Sequence, residues 1–290
     1  MTFKRVLRLL GLLLGIVIGV VSLLIAYLTR RMVTPARQPL WTTPAEMGLP
    51  YEDVNFPAQD SVRLSGWFIP APKSNDPSGA TVILVHDWTW NRLGDAASDL
   101  MADLTGTTPV EFLRLAHALH YGGYHVLIYD QRNHGESASH LPVTFGREEA
   151  YDLIGAINYL QTRSEVAPEK IGVIGFSMGA NAILYALPLT NQIAAAIAVQ
   201  PMTMSSYVEG YSADLLGLPG KVILPVVETL YSAIGGVRLS ALQPAFAAAG
   251  GGKTPVLFIQ CKSDHWGSME DVDRLRAATP EGEGPLYVDG

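Results

Sequence analysis

The residues best suited to chemistry lie in Gly175-Phe-Ser177-Met-Gly179, a G-x-S-x-G pentapeptide. A serine hydroxyl held on a sharp hinge between a strand and a helix can attack a carbonyl carbon. The free N–H groups of the helix N-terminus then favour the negative charge that develops. The flanks fit such a hinge. Lys170 to Ile174 is compact and β-branched, as a short buried strand requires, and Ala180 to Leu187 is a run of helix formers. The glycines at 175 and 179 let neighbouring backbone pass close to the turn. The same five residues would also serve in an ordinary glycine-rich strand-to-helix turn, so the pentapeptide alone leaves both readings open.

The elements that would position Ser177 follow from hydrophobic patterning. Tyr51 to Phe56 and Val62 to Ile69 alternate as an antiparallel hairpin, and Pro70 to Gly79 is a polar surface turn. Thr81 to Val85 is continuously apolar, the mark of a strand covered on both faces, and runs into His86-Asp87-Trp88-Thr-Trp90-Asn-Arg92. Asp95 to Leu104 is expected as an inserted helix. Thr108-Pro109-Val-Glu111 is expected to cap another that runs to His120 and stops at Gly122-Gly123. Tyr124 to Tyr129 is a second buried strand, and Arg147 to Arg163 is a helix with Leu153, Ile157 and Leu160 on one face. After the Ser177 strand and helix come a strand over Ile193–Val199 and one over Pro255–Gln260. A helix over Met269–Ala278 and a last strand from Pro285 to Val288 complete the pattern. Strands alternating with helices predict a mostly parallel sheet with helices on both faces. Residues 202–252 break the rhythm, being apolar and interrupted by Pro219, Pro225 and Pro244, and are expected to form a small helical cap over a pocket.

The N-terminus is of a different kind. Val6 to Leu28 carries no charge after Arg8 and is long enough to cross a bilayer, so residues 1–31 are expected as a retained transmembrane anchor rather than a cleaved signal peptide. Residues 32–50, with four prolines, are expected as a linker that lifts residues 51–290 off the membrane. Basic residues flank both ends of the apolar run, Lys4, Arg5 and Arg8 before it and Arg30, Arg31 and Arg37 after it. The positive-inside rule therefore assigns no side. Beyond residue 37 there are 14 basic and 27 acidic residues, a formal charge of −13, which argues against a nucleic-acid partner. Cys261 is the only cysteine, so neither an intrachain disulfide nor a cysteine metal site can form.

Four pieces in order resemble the α/β-hydrolase family over residues 51–290. They are the turn at Ser177, the Val82–Arg92 loop, the Asp130-Gln-Arg132-Asn-His134-Gly135-Glu-Ser137 turn, and Pro255–Asp264. The overall look is similar to membrane-anchored bacterial hydrolases of the serine aminopeptidase-like branch. The resemblance implies an α/β-hydrolase fold and acyl transfer from an ester, thioester or amide, with no cofactor and no metal. In it Ser177 is the nucleophile and Asp264 the acid that orients a histidine. The backbone N–H groups of Trp88 and Met178 are the oxyanion donors. The apolar cap and the tryptophans at its mouth suggest a small-molecule acyl or peptide-like substrate.

Two departures qualify this. Asp87 stands where the family has glycine, next to the expected oxyanion site, where a carboxylate is unhelpful. The family's catalytic histidine follows the last strand, and none of the seven histidines here lies after His265. His86 is expected to orient its loop and His134 to bond within its turn. The expectation is that the natural chain continues past Gly290 with a histidine a few residues on. The alternative is a catalytically inactive hydrolase fold used as a binding module.

Overall fold

Alternating buried strands and half-buried helices fold the chain around a single sheet. The computed structural model describes residues 3–73, 78–94, 110–264 and 266–289. The strands are β1 (Glu52–Pro57), β2 (Arg63–Ile69), β3 (Thr81–Val85), β4 (His125–Asp130), β5 (Ile171–Phe176), β6 (Ala195–Val199), β7 (Val256–Cys261) and β8 (Gly282–Val288). The helices are α1 (Phe3–Val33), α2 (Phe112–Tyr121), α3 (Glu149–Gln161), α4 (Met178–Ala186), α5 (Met204–Leu216), α6 (Gly220–Ala233), α7 (Pro244–Ala248) and α8 (Met269–Ala278). Spatial order is β1-β2-β4-β3-β5-β6-β7-β8; β1 and β2 pair antiparallel, β2 joins β4 antiparallel, and all other pairings are parallel. From β3 the chain crosses to β4 on one side and then returns to β5 on the other. The crevice at the C-terminal ends of β3 and β5 is thus the switch point where α/β sheets place ligands.

Each face of the sheet has its own core. Ile83, Val85, Leu127, Tyr129, Ile171 and Val173 point to one face, covered by α3, α4 and α8 through Leu153, Ile157, Ile183, Leu184, Val272 and Leu275. Val82, Leu84, Val126 and Ile128 point to the other, covered by Phe112, Leu113 and Ala116 of α2. The complete burial of β3 and β4 explains why they read as unbroken apolar runs.

Two expectations shift in detail. Helix α2 starts at Phe112, with Glu111 as its cap residue, because Gly94 bridges to Glu111 and the Phe112 N–H donates to the Leu93 carbonyl. Those bonds hold 110–111 extended. The expected helix over Asp95–Leu104 and the Thr108 cap lie outside the described residues. The 202–252 segment divides. Helices α5 and α6 pack on each other and α6 packs on α1, whereas α7 packs on α4 and α8 and buries Ala248 in the main core.

Residues 32–50, expected to act as a spacer, are tied to the body. The Arg37 guanidinium donates to the carbonyls of His134, Gly135 and Ser137 and to the Ser139 hydroxyl, and Asn91 Nδ2 donates to the carbonyls of Gln38 and Pro39. Prolines make this stretch irregular, but those bonds fix its path.

A buried ion pair joins the β3 and β4 loops. Arg92 donates through Nε and Nη2 to Asp130 Oδ2, at 3.1 and 2.7 Å, and its backbone N–H reaches Asp130 Oδ1 at 2.8 Å. Both side chains are buried, and the guanidinium also stacks 4.8 Å from the centre of the Trp67 ring. Burial alone would raise the Asp130 carboxyl, but the Arg92 charge and hydrogen bonds and the Glu136 N–H outweigh it and hold the carboxyl below its usual range. Removing one partner strands the other charge in the core, so Arg92→Met should cost about 3–5 kcal/mol of stability. Urea melts at neutral pH would measure this, and Asp130→Asn in the same background should recover part of the loss.

Candidate active site

Ser177 caps α4 at a backbone φ of 50° and ψ of −108°, strained for a residue with a side chain. Its N–H is held by the Val199 carbonyl at 2.8 Å, and its carbonyl accepts the Asn181 N–H at 2.9 Å. The pentapeptide glycines are required by space. A Cβ on Gly179 would strike the Val85 and His86 carbonyl oxygens, and one on Gly175 would strike the Gly179 carbonyl. The elbow is therefore pressed against the end of β3. Asn181 stitches its far side, donating to the Met202 carbonyl at 2.9 Å and accepting the Met202 N–H at 3.1 Å.

That pressure brings two backbone donors to one point. The Trp88 N–H and the Met178 N–H both donate to Oδ1 of Asp87, at 2.6 and 3.1 Å. The Ser177 hydroxyl bonds the same carboxyl group. A carboxylate oxygen thus occupies the spot where two converging N–H groups could hold the oxygen of a tetrahedral intermediate. The sequence marked Asp87 as foreign to this loop; its folding back onto the next residue's N–H, as short polar side chains do, was not foreseen. Burial is the main cause that pushes the Asp87 carboxyl up to about 6, and the nearby Asp264 charge adds to it. The bonds from Met178, Ser177 and Trp88 partly offset the rise.

Asp264 sits in the turn after β7. Its Oδ1 accepts the N–H groups of Trp266 and Gly267, and its Oδ2 accepts the amides of Gln200 and Gln260, all at 3.0–3.1 Å. Four donors fix this carboxylate. β7 is two strands from β5, so the turn stands roughly 10 Å from the elbow, room for an imidazole between acid and serine.

The described histidines are committed elsewhere. His86 Nε2 accepts the Gln131 N–H at 2.9 Å, so its Nδ1 carries the proton and donates to the Asp87 carbonyl at 2.7 Å. Burial drives its pKa down to about 4. His134 bonds the Arg132 carbonyl, meets His86 edge-on and falls, mainly through burial, to about 3. Both are neutral struts, as expected for loop and turn. His120 and His125 bond the backbone of Pro70 and Ala71, His117 meets the Tyr121 ring at a tilt, and His140 is exposed beside Glu148. His265 lies outside the described residues. No cluster of three or more potential metal ligands occurs among the described residues.

Sequence reasoning expected a helical cap over residues 202–252 but missed the clasp that ties it to the site. Tyr207 and Tyr211 of α5 meet the Trp266 ring edge-on, and Trp266 Nε1 donates to Asp214 at 2.8 Å. The helical cover is thereby joined to the turn that carries Asp264. Aromatic residues at i and i+4 were the available signal, but their partner lies about 55 residues on, where no local pattern points.

An eight-stranded sheet with a serine elbow at its switch point defines the class as an α/β hydrolase. The chain belongs to the alpha/beta hydrolase family, whose sequence profile matches residues 82–285. It is similar to YfhR of Salmonella typhi, described as uncharacterised, at 26% identity over 253 residues, 85% of this chain and 74% of YfhR. Among solved structures it is similar to the Pyrococcus furiosus esterase Pf2001, with 25% identity, a TM-score of 0.66 and 89% of each chain covered. The acylaminoacyl peptidase of Pyrococcus horikoshii, at 16% identity and a TM-score of 0.55, covers 82% of this chain and 36% of its own and shares the fold.

The raised Asp87 carboxyl sets a pH dependence. An unfolded aspartate titrates near 3.9 and this one, folded, at about 6, so the folded state holds the proton more tightly. Its contribution to stability is fully present below about pH 4 and is lost as the pH rises through about 6. The loss is on the order of 2–3 kcal/mol. Asp87→Asn keeps an acceptor for Trp88 and removes the titration. Urea melts from pH 4 to 7.5 should therefore show wild type losing stability relative to Asp87→Asn as pH rises; parallel curves would contradict a buried, titrating carboxyl.

Proposed function

We propose that the protein is a membrane-anchored serine hydrolase that cleaves an ester, thioester or amide of an apolar acyl substrate. The observation that carries this is the convergence of the Trp88 and Met178 N–H groups beside Ser177. In this reading Ser177 Oγ attacks the carbonyl carbon and its proton passes to a histidine oriented by Asp264. The two N–H groups hold the oxyanion. As the intermediate collapses, the ester, thioester or amide bond breaks and the histidine gives its proton to the departing alcohol, thiol or amine. Water, deprotonated by the same histidine, then releases the acyl group from the serine as an acid. The histidine is the one the family pattern supplies after the last strand. Similarity to the esterase Pf2001 supports ester chemistry.

Residues 1–31 act in this reading as the anchor. Helix α1 is 31 residues, about 46 Å long, and its most apolar 18-residue stretch contains no buried residue. Leu12, Leu13, Leu14, Ile16, Val17 and Ile18 are all exposed although successive helical residues point about 100° apart, so apolar surface is exposed around most of the helix, which demands an apolar solvent. Segment 32–50 then ties the catalytic body to the end of that anchor, and α5 and α6 form the cap.

Asp87 must leave its place before a substrate carbonyl can use it. Its carboxylate mimics the charge and position of a product acid and competes with the substrate oxygen for the same two donors. Asp87→Gly should raise kcat/KM toward a short ester at least tenfold, since an oxyanion donor is worth about 10²–10³ in rate. The protein should be expressed from its complete reading frame for this assay. Ser177→Ala should abolish hydrolysis and fluorophosphonate labelling and leave the melting temperature within a few degrees of wild type. The filled donor pair also favours a second reading, an inactive fold that binds without turnover. Absent labelling in both wild type and Asp87→Gly, with the fold intact, would establish that reading over the first.

A further inference from the structure

Helix α6 has two apolar stripes, and only one of them meets the protein. Ile223, Val227 and Tyr231 are buried against the body, and the Tyr231 hydroxyl is fixed to the Val143 carbonyl at 2.5 Å. One residue earlier, a second row at intervals of four faces outward, Val222, Val226 and Leu230, extended by Leu218 before the helix and Ile234 at its end. Leu218 is 80% and Val222 74% exposed. Such a row on a water-facing helix is costly, and this one belongs to the helix that packs directly on α1. The row therefore continues the apolar surface of the proposed membrane span.

Between α1, α5 and α6 lies a narrow cavity of about 60 Å³, open at its mouth. Leu28 and Met32 of α1, Tyr207 and Leu216 of α5 and Ile223 of α6 form its walls, and Trp88, from the loop after β3, forms the floor. The lining is overwhelmingly apolar. The floor has a direction, because the backbone N–H of Trp88 is one of the two donors on Asp87 and Met178, which supplies the other, packs in the same cluster. The level is fixed too. Arg31, at the end of α1, stands 5.8 Å from the centre of the Trp88 ring, and an arginine pair closing an apolar span marks the headgroup boundary. Leu28, one turn earlier in the same helix, is on the hydrocarbon side of that boundary.

We propose that the outer face of α6 is immersed in the bilayer and that the cavity between α1, α5 and α6 is a lateral site for the carboxyl-end segment of one acyl chain of a membrane lipid, the rest of the chain staying in the hydrocarbon. The chain enters from the hydrocarbon side with its carboxyl end directed at Trp88. This rests on reading α1 as a membrane span. It deepens the proposed function by naming the substrate class as an acyl lipid drawn from the membrane that holds the enzyme. Nothing covalent is required for occupancy, so the site can be tested without turnover.

The full chain, with Cys261→Ser, is reconstituted in phosphatidylcholine vesicles, and a nitroxide is attached in turn at Leu13→Cys, Val222→Cys, Val226→Cys and Lys262→Cys. Position 13 should be accessible to oxygen and shielded from a water-soluble nickel chelate, and position 262 the reverse. Positions 222 and 226 should resemble 13. If position 13 is open to the chelate, the membrane reading itself falls and takes the proposal with it. If 13 is shielded and 222 and 226 match 262, only the immersion of α6 is overturned. The second arm uses vesicles containing phosphatidylcholine brominated at carbons 9 and 10 of one chain, and takes Trp88 emission as wild type minus Trp88→Phe. Bromine should quench that emission at least twofold, and Ile223→Phe, which fills the cavity, should abolish the quenching. Unquenched Trp88, or quenching indifferent to Ile223→Phe, would overturn the acyl site while leaving Ser177 chemistry untouched.

Discussion

The architecture depends on one close approach, that of the Ser177 elbow to the end of β3. Gly179 has no Cβ because the Val85 and His86 carbonyls occupy its place, and Gly175 has none because the elbow's own backbone returns against it. This contact lets the first N–H of α4 and the N–H of Trp88, from loops more than eighty residues apart, point at a single oxygen. It also forces Ser177 to a positive φ, with the Val199 carbonyl holding the strained N–H. The strain is local, and the two neighbouring parallel strands support it.

The β4 turn exists to hold that contact in register. Asp130 accepts from Arg92 at the far end of the β3 loop, Gln131 grips His86 through both its backbone and its side-chain amide, and Ser137 Oγ donates back to the Asp130 carbonyl. Gly135 is glycine because a Cβ there would strike the Asp130 carboxylate. Arg132 faces the other way, to Asp152 on α3 and Asp60 in the β1–β2 turn. The charged turn after β4 is thus a clamp that holds the loops around Ser177.

The fold was legible because burial writes itself into composition: β3, β4, β5 and β7 are apolar runs, and their order along the chain implied a parallel sheet. The serine elbow was legible because its glycines answer a steric demand that recurs wherever a strand turns sharply into a helix. Less legible were features in which distant segments meet. Arg37 binds carbonyls near residue 135, Trp266 binds α5, and α6 lies along α1. Residues 32–50 read only as a linker for this reason; proline content reports irregular backbone, while attachment depends on Arg37 and Asn91 finding partners far away. The start of α2 was misjudged for the same cause, since a bridge from Gly94 outweighs the local preference of Val110 and Glu111.

Asp87 shows how a single side chain can fill a donor pair without disturbing the backbone that forms it. With glycine at this position the two N–H donors would face the crevice unpartnered, ready for a substrate oxygen. Aspartate supplies an oxygen from within, so the donors are satisfied and the crevice starts out charged. The N–H groups stabilise the anion and burial destabilises it, and burial is the larger effect. The side chain is therefore held by good hydrogen bonds in a poor dielectric environment, a balance that a neutral carbonyl entering from the apolar side can shift. An acyl carbonyl would bring the same lone pairs to Trp88 and Met178 and carry no charge to bury. Release of Asp87 toward water would relieve the desolvation that opposes it. In the proposed reaction, the residue that looks least compatible with acyl transfer would thus select for substrates that fill the crevice with apolar mass before their carbonyl reaches the donors.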